Sequence, residues 1–261
     1  MWTGNSRNAI IDVCIVTHNQ APWLEKCVDS VVNQTFDRPY NIFIFDDCSN
    51  KVSMVASERG CFHFEKSEPP RSVLYRLQKR GLAVTMNKSN LGCIGARMAV
   101  AALGSAPFLL FVDGDDSINE EFLDRVWRMA NVKQADVVYP SIAIVTSGMA
   151  AVQGKLEQRE YSLKSLLRKN YIPVTSLIRR SMFDRVGGFD KDFSFGFEDW
   201  ALWLAMGGLR ATFAWEPKAT LFYLQHAGAR SVEANKKYPE FRALAKEKFA
   251  ALIGKPIIEE I

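Results

Sequence analysis

Three aspartates within four residues, Asp113, Asp115 and Asp116 around Gly114, close the apolar run 107–112 (PFLLFV). Like charges this close repel one another unless a cation or several hydrogen bonds compensate. Hard divalent ions such as Mg²⁺ or Mn²⁺ take oxygen ligands, commonly one or two carboxylates plus substrate phosphates. Gly114 allows a tight turn, so that carboxylates on both sides can address one point. A calcium loop of the EF-hand type starts similarly. Here, however, its sixth position would be Ile118, its twelfth Asp124, and a strand pattern precedes it. Two more polar groups close apolar runs: Thr17-His18-Asn19 after 10–17 (IIDVCIVT) and Asp46-Asp47 after 41–46 (NIFIFD). Each of the three groups alone reads first as a turn former or helix cap.

The elements that must hold these groups follow from hydrophobic period. Short β-branched runs at 10–17, 41–46, 82–86 and 107–112 predict strands, the last apolar enough to be buried on both faces. Between them, Pro22 opens a helix with Trp23, Leu24, Cys27, Val28, Val31 and Val32 at helical spacing. Residues 94–102 and 120–130 predict two more helices. A βαβα rhythm implies a mostly parallel sheet with right-handed crossovers. In such a sheet, ligands bind outside the carboxyl ends of the strands. All three polar groups fall there, and that convergence outweighs any one of them.

The second half is less regular. Strands are expected near 136–146, 174–179, 210–215 and 219–224, and helices near 162–169, 182–186 and 198–206. Gly187-Gly188 stop the second of these helices. Residues 239–252 carry Phe241, Leu244, Ala245, Phe249 and Leu252 at helical spacing, the pattern of a packed terminal helix. Its Lys and Arg face leaves a peripheral membrane association open. Residues 65–81, polar and basic with Pro69-Pro70, read as a loop-and-helix insertion.

Composition excludes several classes. Of 261 residues, 48% are hydrophobic and 24% charged, which suits one large α/β domain and argues against disorder. The formal charge of +4 comes without a block of like charges, so nucleic acid is not an expected partner. Five scattered cysteines without a CxxC pair predict free thiols in a reducing compartment, hence a cytoplasmic location. No apolar run approaches the roughly 20 residues that cross a bilayer.

Taken in order, DVCIVTHNQAPWLEKCVDSVVNQTF, IFIFDDCSN, NLGCIGARMAV, FLLFVDGDDSI and VGGFDKDFSFGFEDWALWL resemble the family-2 inverting glycosyltransferases. The likeness spans about residues 10 to 226. It implies an α/β GT-A fold in one domain over 1–261: a nucleotide-sugar-binding half at about 8–117, an acceptor-binding half at about 118–230 and a helical tail at 231–261. It implies transfer of one sugar from a nucleotide donor, a UDP-sugar first, to a hydroxyl of a glycan or lipid-linked acceptor. Thr17, His18, Asp46, Asn90 and Arg97 would meet the donor, and Asp113 its ribose. Asp115 and Asp116 would hold Mn²⁺ or Mg²⁺ on the diphosphate. Arg97 could equally form an ion pair with Asp46 or Asp113.

Glu198-Asp199 falls where the resemblance places the catalytic base. Inverting transfer is a single displacement at the anomeric carbon and needs a carboxylate to take the acceptor's proton. Asp199 is the candidate base, and Glu198 would position the acceptor or cap the helix. An acidic pair in a first helical turn is also favoured by the helix dipole alone. Trp200 could stack on an acceptor sugar, whereas Trp203 reads as core. His226, in YLQHAGARS, matches a third metal ligand of some members, or else is a strand-end histidine bonded to backbone. Cys48 stands where a glycine is usual and His18 where Tyr is more common. The Gln-x-x-Arg-Trp motif of processive polymerases is absent, so single addition is expected. Two competing readings remain: a nucleotidyltransferase, which lacks the Gly-rich basic loop it would need after the first strand, and a nucleotide-sugar-binding module without catalysis.

Overall fold

The computed structural model of the chain describes residues 2–50, 55–56, 62–63, 70–146, 152, 154–156, 158–225 and 236–253. Its first half runs β1 (Ile11–Thr17), α1 (Ala21–Val32), β2 (Tyr40–Asp46), the two-residue strands β3 (Val55–Ala56) and β4 (Phe62–His63), α2 (Pro70–Lys79), β5 (Ala83–Met86), α3 (Gly92–Ala101) and β6 (Phe108–Asp113). The second half runs β7 (Ser117–Ile118), α4 (Phe122–Lys133), β8 (Val137–Thr146), β9 (Gly154–Lys155), α5 (Leu163–Arg168), β10 (Leu177–Arg179), α6 (Arg180–Arg185), α7 (Glu198–Gly208) and β11 (Phe213–Gln225). The last helix described is α8 (Tyr238–Ile253).

The main sheet has the order β5-β2-β1-β6-β10-β8-β11-β7, with β9 paired to β8. β1 lies parallel to both β2 and β6, and β2 lies parallel to β5. β10 is antiparallel to both neighbours and joins this parallel half to β8 and β11, themselves parallel to each other. Helices cover both faces, which explains why β6 is apolar throughout: Leu109, Leu110, Phe111 and Val112 are wholly buried. One face carries α1, α2 and α4; the other carries α3, α5, α6, α7 and α8. Truncating a ring such as Phe111 to Ala in such a core costs about 3–5 kcal/mol.

Helix boundaries follow local chemistry. Pro22 sits in the first turn of α1, where its missing N–H costs nothing, and Leu24, Cys27, Val28 and Val31 form the buried stripe. The glycines after α6 adopt left-handed backbone, with φ of 81° and 74°, and end that helix as anticipated. One expectation changes. The strands anticipated at 210–215 and 219–224 are one strand, β11, whose register against β8 shifts between Glu216 and Thr220. The helix expected within 65–81 is α2; it and Arg80 just after it are tied to α1 by Arg76–Glu25 at 3.0 Å and Arg80–Asp29 at 2.6 Å.

Asp12, the one acid inside the first apolar run, joins the two halves at the edge opposite the strand ends. It is fully buried and accepts from Asn41 Nδ2 (2.7 Å), Ala106 N (2.8 Å) and Arg180 Nη2 (2.7 Å). Arg180 also donates to the carbonyls of Ala106 and Ala101. A buried carboxylate survives only with such satisfaction.

The tail helix α8 buries Phe241, Ala245, Phe249 and Ile253 against α7. Among the described residues no helix is long and apolar enough to cross a membrane.

Candidate active site

The carboxyl ends of β1, β2 and β6 form one rim. Asp46 is the register partner of Thr17, and Asp113 of Val16. Asp47 N donates to Thr17 O and Gly114 N to Val16 O, both at 2.9 Å, so the three polar groups stand side by side. Gly114 is required here by close approach more than by a turn. A Cβ on it would lie 2.9 Å from Thr17 Cβ and 3.0 Å from both Thr17 Oγ1 and Gln20 Oε1. Thr17 Oγ1 is buried and has no hydrogen-bond partner among the described residues. Such a group costs about 1–3 kcal/mol until something pairs with it.

Asp46 is buried and accepts from both the backbone N–H and the hydroxyl of Ser49. Asp47 accepts from Leu91 N at 2.7 Å and so holds the approach to α3. His18 is exposed, and its Nδ1 lies 2.6 Å from Asp47 O. A carbonyl only accepts, so Nδ1 carries the proton and Nε2 accepts from Asn19 Nδ2 at 2.8 Å. Asn90 lies beside this ring, with Nδ2 3.4 Å from it. The residues Asn19 and Cys48 at this rim, and Phe197 just before α7, adopt left-handed backbone with φ near 60°. Non-glycine residues in that region cost about 1–3 kcal/mol each and cluster at functional sites.

Arg97 joins the two halves of the site. Its guanidinium is 3% exposed and donates from Nη2 to Asp113 Oδ1 (2.7 Å) and from Nη1 to Glu198 Oε1 (2.5 Å). Burial pulls its pKa down, but the charges of Asp113, Cys93 and Glu198 overcome this and hold it well above the usual range. Of the two sequence readings, the ion pair with Asp113 is realised. The second partner, Glu198, was not anticipated. Glu198, expected to position the acceptor or cap the helix, is buried and turned onto Arg97, and it anchors the start of α7 to the end of β6. Cys93 Sγ adds a contact to the same oxygen at 3.3 Å.

Asp199, next in sequence, is half-buried. Its Oδ1 accepts from Trp200 N (2.7 Å) and its Oδ2 from Asn170 Nδ2 (3.1 Å). Nothing in the sequence singled out Asn170, a loop asparagine in no motif. Trp200 is not a sugar platform. It is 3% exposed, its Nε1 donates to Leu166 O, and its ring stacks on Phe241 at 4.5 Å. Trp203 is core, as expected.

Within the acidic cluster, Asp115 is half-buried and Asp116 buried, its Oδ1 accepting from Leu224 N at 2.9 Å. Burial, then the charges of Asp115 and Asp113, push the Asp116 carboxyl well above the ordinary carboxylate range. Carboxylates this close repel one another, and a hard cation suits such a cluster. Among the described residues no three His, Cys, Asp or Glu gather to hold a metal unaided. One or two carboxylates completed by substrate phosphates is the mode such ions commonly use. His226 lies outside the described residues.

Sheet order, acidic strand end and rim define the GT-A fold of nucleotide-sugar transferases. The profile of Glycosyl transferase family 2 matches residues 12–187, and the chain belongs to this family. That match covers the rim formed by β1, β2 and β6 and stops before α7. The uncharacterized glycosyltransferase YwdF of Bacillus subtilis is 26% identical over 74% of this chain and 66% of its own length. The poly(ribitol-phosphate) beta-glucosyltransferase of Bacillus spizizenii is 27% identical over 49% of this chain and 18% of its own length. The chain thus spans no more than about two thirds of these relatives. Among solved structures, S. aureus TarS 1-349 in complex with UDP-GlcNAc shares the fold, with a TM-score of 0.68 and 18% identity over 92% of this chain and 66% of that one.

Proposed function

We propose that the chain transfers one sugar from a UDP-sugar to a hydroxyl of a glycan or lipid-linked acceptor, with inversion at the anomeric carbon. The observation that carries this reading is the Asp113–Arg97–Glu198 bridge, which ties the start of α7, the helix that bears Asp199, to the acidic strand end. A single displacement demands a donor-side and an acceptor-side carboxylate, and this tie between α7 and β6 supports assigning those parts to the acidic cluster and to Asp199. The halves at about 8–117 and 118–230 serve as donor and acceptor sides.

Each residue has a role its surroundings support. Asp46, buried at the end of β2, would accept from a nucleobase N–H. The orphan hydroxyl of Thr17 would gain its partner from the nucleoside, and Asn90 and His18 would flank it. Asp113, oriented by Arg97, would bind the ribose. Asp115, with Asp116 behind it, would hold Mn²⁺ or Mg²⁺, which when bound supplies charge stabilisation to the diphosphate leaving group. Asp199 would take the acceptor's hydroxyl proton as that oxygen bonds to the anomeric carbon and the electron pair of the broken bond leaves with the diphosphate. TarS structures bound to UDP-GlcNAc and to UDP support a uridine donor for this fold.

The test is UDP release from UDP-GlcNAc, UDP-glucose and UDP-galactose with Mn²⁺ or Mg²⁺, with water as acceptor. Release from one donor, lost in Asp115→Ala and in Asp199→Asn, is expected. No release from any donor, or release indifferent to both substitutions, overturns the proposal.

A further inference from the structure

Asp199 has a neighbour that neither the motifs nor the family match brings forward. Asn170 follows α5, and its side-chain Nδ2 donates to Asp199 Oδ2 at 3.1 Å. Its orientation is determined by its other end. Asn170 Oδ1 accepts from the backbone N–H of Ile172 at 3.1 Å, a group that can only donate. The amide nitrogen therefore faces the carboxylate.

The footing beneath Asn170 is stiff. Trp200 Nε1 donates to Leu166 O (2.7 Å) and Trp203 Nε1 to Ile172 O (3.0 Å), so two indoles of α7 grip the backbone on both sides of it. Both indoles are buried, and such bonds are costly to leave unmade. The distance between Asn170 and Asp199 is thus set by the packing of α7 against the α5 segment. With Trp200 N on Oδ1 and Asn170 on Oδ2, the carboxylate is held at both oxygens. A neutral amide suits this place: it donates to the anion and favours its charged form, yet cannot take the acceptor's proton in competition.

We infer that Asn170 is a positioning residue for Asp199, orienting the base in the sugar transfer proposed above, on which this inference rests. Its loss should act on kcat and leave donor binding alone, because its contacts lie on the acceptor side. Misplacing a reacting group by about 1 Å can cost on the order of 10²-fold in rate.

The experiment compares the full chain with Asn170→Ala, the isosteric Asn170→Asp and Asp199→Asn. The readouts are UDP release from the donor panel above and calorimetric affinity for UDP with Mn²⁺. Both Asn170 variants should lose about 10- to 100-fold in kcat, with donor KM and UDP affinity within twofold of the parent. Unchanged UDP affinity also shows that each variant is folded. Parent-like kcat in both Asn170 variants while Asp199→Asn is inactive sinks the role of Asn170 alone. A shift in KM without a fall in kcat does the same. An active Asp199→Asn, or no UDP release by the parent, sinks the reading of the base and this inference with it.

Discussion

Replacing Arg97 with Met tests the link between the two halves of the site. The substitution keeps most of the side-chain volume and removes a charge that is 3% exposed. Its partners are unequal. The Glu198 side chain is 5% exposed, whereas that of Asp113 is 34% exposed and stays partly hydrated. The cost therefore falls mainly on Glu198, the more deeply buried of the two acids. Breaking a buried pair by removing one partner typically costs about 3–5 kcal/mol, against about 0–1 for an exposed pair. Arg97→Met should accordingly lower the urea-derived unfolding free energy by about 3 kcal/mol or more. Glu198→Gln added to it should return about 1–3 kcal/mol, because the buried charge that Arg97 balanced is then gone. The assay is urea unfolding of the parent, both single variants and the double variant as a thermodynamic cycle, with UDP affinity measured alongside. A loss below 1 kcal/mol in Arg97→Met, or strict additivity in the cycle, would refute the claim that this bridge joins α7 to β6.

Three further outcomes follow from the same geometry. Chelation of divalent metal, or Asp115→Asn, should abolish UDP release and weaken UDP binding at least about tenfold by calorimetry, since the diphosphate then meets uncompensated carboxylates; equal UDP affinity with and without Mn²⁺ would count against the metal role. Gly114→Ala drives a methyl into Thr17 and Gln20, and overpacking of this kind costs about 1–3 kcal/mol, so thermal stability and UDP affinity should both fall; parent-like values for both would show that the rim gives way freely. Burial raises the thiol of Cys14 and the phenols of Tyr40, Tyr139 and Tyr161, so above about pH 8.5 for the thiol and 10 for the phenols the folded chain retains protons that the unfolded chain has lost. Stability must then fall as pH rises, by about 1.4 kcal/mol per pH unit for each such group. Urea midpoints that stay flat from pH 8 to 11 would contradict this.

The donor rim was legible in the sequence for a definite physical reason. Parallel strands buried on both faces must be nearly continuous apolar runs, so 10–17, 41–46 and 107–112 stand out, and the polar residues that end them must share one edge. Thr17, Asp46 and Asp113 could therefore be assigned to a common rim before any coordinates, and the register bears that out. The requirement for glycine at 114 was legible too, though not its cause, which is the closeness of Thr17.

What lay beyond the sequence are contacts between segments far apart in the chain. Glu198 and Trp200 both looked like acceptor-side residues, because an acid and an aromatic at a helix start carry no mark of which way they face. Packing turned Glu198 onto Arg97, 101 residues away, and sank Trp200 between α5 and α8. Asn170 was silent for the same reason, since a loop asparagine acquires meaning only from the carboxylate that the fold brings to it. The alternation of apolar and polar residues along the chain determines which strand ends form the rim. The direction in which a charged side chain spends its hydrogen bonds is decided by its spatial neighbours, and only the tertiary structure supplies those.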